Sequence, residues 1–189
     1  KDIDSLIQYT GYVCDESQPI HKQKNNNIYV STGLNKDESV VIFKRIAEIA
    51  QHYPEHKFIM PIANKYNSMG GRKNKNIYLV EYVPELRNKL TECAAYITYG
   101  GYNATVEILK SQVPSLIIPR QSGRKMEQFV RAFTFEPYDF FKVLTMQEFG
   151  GIKSVLDKLI SGYSPKPFTY NLQGTSNTAD ILSEIYNEL

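Results

Sequence analysis

The chain has 189 residues, of which 42% are hydrophobic and 22% charged; this suits one globular domain with its own core and excludes a disordered or fibrous chain. With 22 Lys and Arg against 20 Asp and Glu, the formal net charge is only +2, so no strong positive field indicates nucleic-acid binding. Two cysteines are too few for a disulfide framework or a structural zinc site, and no apolar run approaches the roughly 18 residues that cross a membrane.

The N-terminal segment, residues 1–26, carries little regular pattern. The chain begins with Lys1 rather than Met, no signal peptide opens it, and the polar, turn-prone residues 22–27 lead into the first strand. We therefore expect residues 1–26 to be a connecting segment in a longer protein, and residues 27–189 to form one domain.

Strands and helices then alternate. A short β-branched and aromatic run predicts a strand over Asn27–Ser31. Apolar residues at spacings of three and four predict a helix from about Asp37 to His52. Two more strands are predicted over Lys57–Ile62 and Asn76–Val80, and a helix opens at Pro84, a position that proline tolerates.

The same alternation continues through the rest of the chain. The predicted strands are Ala95–Tyr99, Ser115–Pro119 and Phe140–Leu144, and the predicted helices are Asn103–Lys110, Met126–Thr134, Thr145–Ser161 and Thr178–Leu189. Short apolar strands that alternate with amphipathic helices are typical of a parallel sheet covered on both faces. The predicted fold class is α/β, a Rossmann-like doubly wound parallel sheet with right-handed crossovers, which binds ligands beyond the carboxyl ends of its strands.

The loop after the first strand contains Ser31, Thr32 and Gly33. Small hydroxyl residues and a glycine between a strand and a helix let a ligand approach the backbone. An ordinary strand-to-helix turn has the same composition, so this loop alone does not decide between the two.

The loop after the fourth strand reads Gly100-Gly101-Tyr102-Asn103 and leads directly into a helix. Free backbone N–H groups and the positive end of the helix dipole make such a helix start a phosphate site. Asn103 could cap the helix and also donate to a phosphate oxygen, and Glu107 could accept hydrogen bonds from a ribose diol. A glycine-rich turn without a ligand remains the alternative, since the segment is neither a G-x-G-x-x-G match nor a P-loop.

The loop after the fifth strand carries Arg120, Arg124 and Lys125 and leads to Glu127 and Gln128 at a helix start. The cations suit a diphosphate, and the carboxylate and amide suit sugar hydroxyls. The cations alone could equally be a solvated face. Diol, phosphate and hydroxyl chemistry nevertheless fall on three strand-end loops at one edge of one sheet, and together they favour a ligand site there.

The stretch Thr98–Arg131 resembles the C-terminal, nucleotide-sugar-binding domain of GT-B glycosyltransferases, in particular the group of the peptidoglycan N-acetylglucosaminyl transferase. That group carries a G-G-[YWF]-N-[ST]-x-x-E helix, a P-x-L-x-x-P-R strand and an E-Q-x-x-R-A helix, and this chain reads GGYNATVE, PSLIIPR and EQFVRA. The plant secondary-product signature, H-C-G-W-N-S-x-x-E followed by D-Q, has a similar layout. The first strand, the strand end at Val80–Val83 and the C-terminal helix also fall where the resemblance places them, and Tyr9–Val13 resembles the interdomain crossover that precedes the donor domain.

The resemblance implies a set of donor contacts, carried over by position. It assigns the donor diphosphate to Thr32, Gly33, Gly100, Gly101, Tyr102, Asn103, Ala104 and Thr105. It assigns the ribose to Glu107, the base to Tyr82 and Val83, the donor sugar to Glu127 and Gln128, and charge assistance to Arg120 and Arg124.

Three positions depart from the family pattern. Ala104 stands where the family has Ser or Thr, which removes a side-chain donor that Thr105 or the backbone N–H of Ala104 would replace. Tyr99 stands in place of the plant signature's histidine, and Glu127 follows Glu107 by 20 positions, more than in the plant form. These departures bear on the sugar and the acceptor more than on the fold.

The resemblance implies that the chain binds a UDP-sugar or dTDP-sugar, with UDP preferred, and takes part in moving a hexose-type sugar to an acceptor. No metal or other cofactor is expected, since His21, His52 and His56 are scattered along the chain. No catalytic residue is assigned, because the general base and the acceptor site are expected in an N-terminal domain of the same protein. The chain should therefore bind the donor without turning it over alone. We expect a cytoplasmic location, with any peripheral membrane contact made through that other half.

Two alternatives stay open at the level of the sequence. A GT-B hydrolase or epimerase that acts on a nucleotide sugar would share the phosphate-binding helix. A non-catalytic donor-binding subunit that needs a partner would share the whole donor site and lack only the chemistry.

Overall fold

The computed structural model describes residues 7–14, 24–32, 36–61, 74–120, 126–162 and 170–187. Its contacts divide the chain into two compact units, one made of residues 1–19 with 167–189 and the other of residues 20–166. The candidate site lies in the second unit.

The second unit is built on one six-stranded, all-parallel sheet with the order β3-β2-β1-β4-β5-β6. The strands are β1 Asn27–Ser31, β2 Lys57–Pro61, β3 Ile77–Val80, β4 Ala95–Thr98, β5 Ser115–Ile117 and β6 Phe141–Val143. Strands β2 and β3 follow β1 on one side of the sheet, and β5 and β6 follow β4 on the other side. The strand order therefore reverses between β1 and β4. The predicted doubly wound α/β fold is confirmed, and its switch point lies between β1 and β4.

Burial explains why these segments form strands. All four residues of β4 are buried, and Ile28, Tyr29 and Val30 of β1 are buried as well. Strands covered on both faces have near-continuous apolar sequences, which is what the sequence shows at both places. At the edge of the sheet, Tyr78 and Leu79 of β3 are exposed.

The helices are α1 Lys36–Ala50, α2 Leu86–Leu90, α3 Tyr102–Ser111, α4 Glu127–Phe135, α5 Ile152–Ile160 and α6 Gly174–Asn187. Three predicted starts were wrong. The helix predicted from Thr178 begins four residues earlier, at Gly174. The helix predicted from Pro84 begins two residues later, after Glu85 takes the left-handed conformation at φ 50°. The helix predicted from Thr145 begins only at Ile152, after the short 3₁₀ turn Phe149–Gly151, because two consecutive glycines disfavour α-helix there. In the parts of the chain described above, no helix is both long and apolar enough to cross a membrane.

The main core packs α1 and α5 against one face of the sheet. The sheet contributes buried residues of alternate pleat positions, including Ile28, Val30 and Phe58, and α1 contributes Phe43 and Ile46. Such a core fixes the strand ends relative to one another, because interiors are packed at crystal-like density. The loops at the carboxyl edge are therefore held on a rigid base.

In the first unit, residues 7–14 pair with the segment that leads into α6. The amide of Tyr12 donates to the carbonyl of Asn171 at 2.9 Å, and the amide of Gly174 donates to the carbonyl of Tyr12 at 3.0 Å. A Cβ on Gly174 would lie 2.7 Å from the carbonyl oxygen of Gly11, so the approach requires glycine. The contacts thus group α6 with the N-terminal segment, and the domain boundary between residues 26 and 27 stays a prediction.

Cys93 provides a check on the packing of the second unit, in which it lies. Its side chain is fully buried, and burial raises its pKa to about 12. Because the thiolate is the reactive species, we expect a thiol reagent at about pH 8 to modify Cys14 in the folded protein and Cys93 only after unfolding. Counting thiols with and without denaturant tests this, and rapid labelling of a folded Cys14→Ser variant would contradict it.

Candidate functional site

The carboxyl ends of β1, β4 and β5 lie side by side. Ser31 is paired in register with Thr98, and Thr98 is paired with Ile117. The loops that follow these three strands therefore leave the sheet at the same edge, next to the switch point. This placement brings together the three loops that the sequence singled out.

The turn after β4 is shaped by two buried glycines. Gly100 has φ +75°, and a Cβ there would lie 2.7 Å from Cγ2 of Ile117. A Cβ on Gly101 would lie 2.6 Å from the hydroxyl oxygen of Tyr99. A side chain at Gly100 would overlap the buried Ile117, and one at Gly101 would have to displace the end of the Tyr99 side chain, so the turn requires glycine at Gly100 and favours it at Gly101.

Helix α3 starts directly from this turn. Gly101 is its N-cap and makes no side-chain cap bond, and the amide of Thr105 is the donor to the carbonyl of Gly101 at 2.9 Å. Amides that precede this bond have no acceptor within the helix and lie at its positive end. The prediction that Asn103 caps the helix was wrong, because the helix begins one residue earlier. The side chain of Asn103 instead lies exposed in the first turn.

Thr105 stabilises the glycine turn through its side chain. Its side chain is buried, and its hydroxyl donates to the carbonyl of Gly100 at 3.3 Å. This contact uses the hydroxyl within the protein. The replacement of the donor lost at Ala104, by Thr105 or by the backbone N–H of Ala104, stays a prediction.

Arg131 reaches the same turn from α4. Its Nη1 lies 3.5 Å from the carbonyl oxygen of Gly100, and its guanidinium lies over the ring of Tyr102, 5.4 Å from the centroid. A second nitrogen pairs with the carboxylate of Glu127. No role was predicted for Arg131, although the E-Q-x-x-R-A motif contains it and its spacing of four from Glu127 is that of a helical ion pair.

The start of α4 presents the predicted sugar-binding pair. The side chain of Glu127 is 73% exposed even though it pairs with Arg131. Oε1 of Gln128 is buried and accepts no hydrogen bond from any residue that the structure describes. A buried acceptor without a donor costs free energy, so a ligand hydroxyl that reached it would relieve that cost.

Glu107 lies on α3 and is held by Arg87 of α2. Nε of Arg87 lies 2.6 Å from Oε1 of Glu107, and the side chain of Glu107 is only 18% exposed. The predicted ribose ligand is therefore a largely buried carboxylate with a cation beside it. Nothing in the sequence pattern predicted Arg87, because the two residues meet only through the packing of α2 on α3.

A small cavity of about 220 Å³ lies beside the end of β1, and both residues predicted to hold the base line it. Tyr82 is exposed and Val83 half-buried. Most of its lining is apolar, as is usual for small-molecule sites in proteins. Its polar wall is the pair formed by Ser31 and Tyr96, whose side-chain oxygens are 2.5 Å apart in a hydrogen bond. Burial raises the pKa of Tyr96, so its phenol stays protonated.

The other predicted residues at this edge contact α1. The hydroxyl of Thr32 donates to the hydroxyl of Ser39 at 2.8 Å, and Arg120 lies 4.0 Å from a carboxylate oxygen of Glu38. The charge of Arg120 is thus partly balanced within the protein. Within the described ranges, no three His, Cys, Asp or Glu side chains are grouped so as to hold a metal ion.

Comparison with known proteins identifies the fold. No protein-family model matches the sequence, and no curated protein matches it. Among solved structures, the glycotransferase of kitacinnamycin is 16% identical, with a TM-score of 0.59 over 92% of this chain and 42% of that one. MurG of Acinetobacter baumannii is 12% identical, with a TM-score of 0.58 over 86% of this chain and 51% of that one. A proposed UDP-N-acetylglucosamine 2-epimerase from Listeria monocytogenes is 15% identical, with a TM-score of 0.55 over 86% and 46%.

The chain spans about half the length of the solved proteins it matches. It has the fold of half a GT-B glycosyltransferase. The predicted resemblance is therefore confirmed for the fold, and coverage of this extent is consistent with one domain of a two-domain protein.

Within this GT-B half, the structure gathers most of the predicted donor residues at one edge of the sheet. Those placed there are Thr32, Tyr82, Val83, Gly100, Gly101, Tyr102, Asn103, Ala104, Thr105, Glu107, Arg120, Glu127 and Gln128. Gly33 and Arg124 lie outside the described residues. Their predicted ligand contacts stay predictions.

Proposed function

We propose that this chain is the donor-binding domain of a glycosyltransferase and holds a nucleoside diphosphate sugar, with UDP the preferred nucleotide. One observation carries the proposal. The glycine turn at Gly100 and Gly101 leads directly into the N-terminus of α3 at the switch point. The cavity beside Tyr82 and the polar N-terminus of α4 lie at the same edge of the sheet.

The diphosphate is assigned to the first turn of α3. Backbone amides there, with the exposed amide of Asn103, donate to phosphate oxygens, and the helix dipole adds favourable charge. Gly100 keeps the turn in the path that leads into α3, since a Cβ there would lie 2.7 Å from Cγ2 of Ile117. This site is formed by fixed dipoles and needs no metal ion.

The nucleoside is assigned to the cavity beside β1. The base lies against Tyr82 and Val83, and the ribose hydroxyls donate to the carboxylate of Glu107. The donor sugar then extends toward α4, where its hydroxyls meet Glu127 and the unsatisfied Oε1 of Gln128.

The chemistry assigned to this half is stabilisation of the leaving group. When the sugar departs, negative charge grows on the diphosphate, and preorganised donors at that point lower the barrier. We place the general base and the acceptor site in an N-terminal domain of the same protein, so that the isolated chain binds the donor without transferring it. A cytoplasmic location, with any membrane contact through that domain, is part of the same proposal.

A second candidate function is a nucleotide-sugar epimerase or hydrolase. The similarity in fold to the proposed UDP-N-acetylglucosamine 2-epimerase favours it specifically. Analysis of products from the full-length protein separates the cases: an acceptor-linked sugar supports transfer, free sugar supports hydrolysis, and an isomerised donor supports epimerisation. A subunit that binds the donor and forms none of these products acts only with a partner.

Replacing Glu107 by alanine is expected to weaken UDP binding by roughly tenfold to a hundredfold, because bonds to a charged acceptor contribute about 1.5–3 kcal/mol. Calorimetric titration with UDP and with dTDP measures the effect on a chain whose fold is checked by circular dichroism. Glu48→Ala, which removes an exposed carboxylate paired with Arg45 on α1, is the control and should bind as the parent chain does. The proposal is refuted if neither nucleotide binds the parent chain, and the ribose contact is refuted if Glu107→Ala binds UDP equally well.

A further inference from the structure

Glu107 and Arg87 form an ion pair in which the carboxylate residue is the more buried partner. The side chain of Glu107 is 18% exposed, and the side chain of Arg87 is 53% exposed. The contact joins Nε of Arg87 to Oε1 of Glu107 at 2.6 Å, so the cation holds one oxygen of this carboxylate.

The segment that carries Arg87 also borders the nucleoside cavity. Glu85 takes the left-handed conformation before α2 begins, at φ 50° and ψ 41°. Leu86, the next residue, lines the cavity beside Tyr82 and Val83, and Arg87 follows it directly. The start of one short helix thus contacts both the cavity assigned to the base and the carboxylate assigned to the ribose.

We propose that Arg87 is a positioning residue, which orients the carboxylate of Glu107 toward the ribose hydroxyls of the bound nucleotide. This inference rests on the proposed function and adds a residue to it. A Glu side chain loses rotamer freedom when it binds a ligand, and a neighbour that already holds it reduces this cost. The positive charge of Arg87 also offsets the cost of keeping a carboxylate largely out of water.

A purely structural role for the same pair predicts a different result. If Arg87 served only to hold α2 on α3, its loss would move the base cavity and the helix together and would weaken every nucleotide alike. If it positions Glu107, its loss affects only ligands whose ribose can donate to that carboxylate. A ligand without ribose hydroxyls separates the two roles.

The experiment titrates UDP and 2′,3′-dideoxyuridine 5′-diphosphate into the parent chain, Arg87→Ala and Arg87→Lys, with thermal unfolding to check the fold. Arg87→Ala should weaken UDP by roughly tenfold and leave the dideoxy ligand within about twofold of the parent value. Arg87→Lys keeps a cation without the fixed guanidinium plane and should restore part of the preference for UDP. Arg45→Ala, which breaks the exposed pair with Glu48, is the matched control and should leave both affinities unchanged.

The outcomes assign any failure to one of the two proposals. A parent chain that binds neither ligand overturns the proposed function, and the role of Arg87 with it. A parent chain that binds both ligands equally retains diphosphate binding but overturns the contact between Glu107 and the ribose, and hence the role of Arg87. A parent chain that prefers UDP, together with an Arg87→Ala variant that loses both ligands equally or loses neither, overturns the positioning role alone.

Discussion

Replacing Gly100 by alanine is expected to lower the free energy of unfolding by about 2–4 kcal/mol and to abolish measurable UDP binding. Gly100 has φ +75°, a conformation that costs a residue with a Cβ about 1–2 kcal/mol. The new Cβ would also lie 2.7 Å from Cγ2 of Ile117, and Ile117 is fully buried and cannot move aside. Relief of this contact must shift the turn that carries the amino end of α3.

Two other glycines serve as graded controls for this prediction. A Cβ on Gly101 meets the outer end of the Tyr99 side chain, which can rotate, so Gly101→Ala should cost less than Gly100→Ala. A Cβ on Gly150 meets nothing within 4 Å, so Gly150→Ala should be neutral. Urea unfolding of the three variants measures the order, and UDP titration of those that fold measures the site. A Gly100→Ala variant as stable as Gly150→Ala would contradict the geometry of the turn.

The architecture could be predicted from the sequence because the sheet is buried on both faces. Segments such as Asn27–Ser31 and Ala95–Thr98 read as short apolar runs, and their burial requires such runs. The long helix α1 was predicted to within two residues at each end, since its apolar spacing repeats over the whole segment. Predictions failed where one residue's backbone decides the outcome, as the left-handed Glu85 does before α2.

The glycine turn and Arg120 were predicted from the sequence, whereas Arg87 and Arg131 were missed. The glycines at 100 and 101 are recognisable because they stand in the GGYNATVE stretch, directly between a strand and a helix. Arg87 and Arg131 meet their partners through packing, across 20 residues to Glu107 and 31 residues to Gly100. Contacts between residues this far apart follow no sequence period, so Arg87 could not be placed without the fold, whereas the spacing of four from Glu127 was the available signal for Arg131.

Replacing Arg131 by alanine is expected to weaken UDP binding by about tenfold to a hundredfold while lowering stability by only about 1–2 kcal/mol. The loss of stability is modest because the contacts of Arg131 are weak or shared. Its hydrogen bond to the carbonyl of Gly100 is long, Thr105 also donates to that carbonyl, and its guanidinium makes a cation–π contact with Tyr102. The larger effect on the ligand follows from charge. Without Arg131, the carboxylate of Glu127 loses the partner that balances it, next to the place assigned to the diphosphate.

Loss of charge balance at Glu127 predicts a rescue that loss of packing at Tyr102 does not. Because UDP carries no donor sugar, its affinity does not depend on a sugar contact to Glu127. The double variant Arg131→Ala with Glu127→Ala should therefore recover part of the UDP affinity lost in Arg131→Ala, since the unbalanced carboxylate is gone. Lys153→Ala, which breaks an exposed pair with Asp157 on α5, controls for the change in net charge. If the double variant binds UDP no better than Arg131→Ala, then Arg131 supports the site by packing against Tyr102 and not by balancing Glu127.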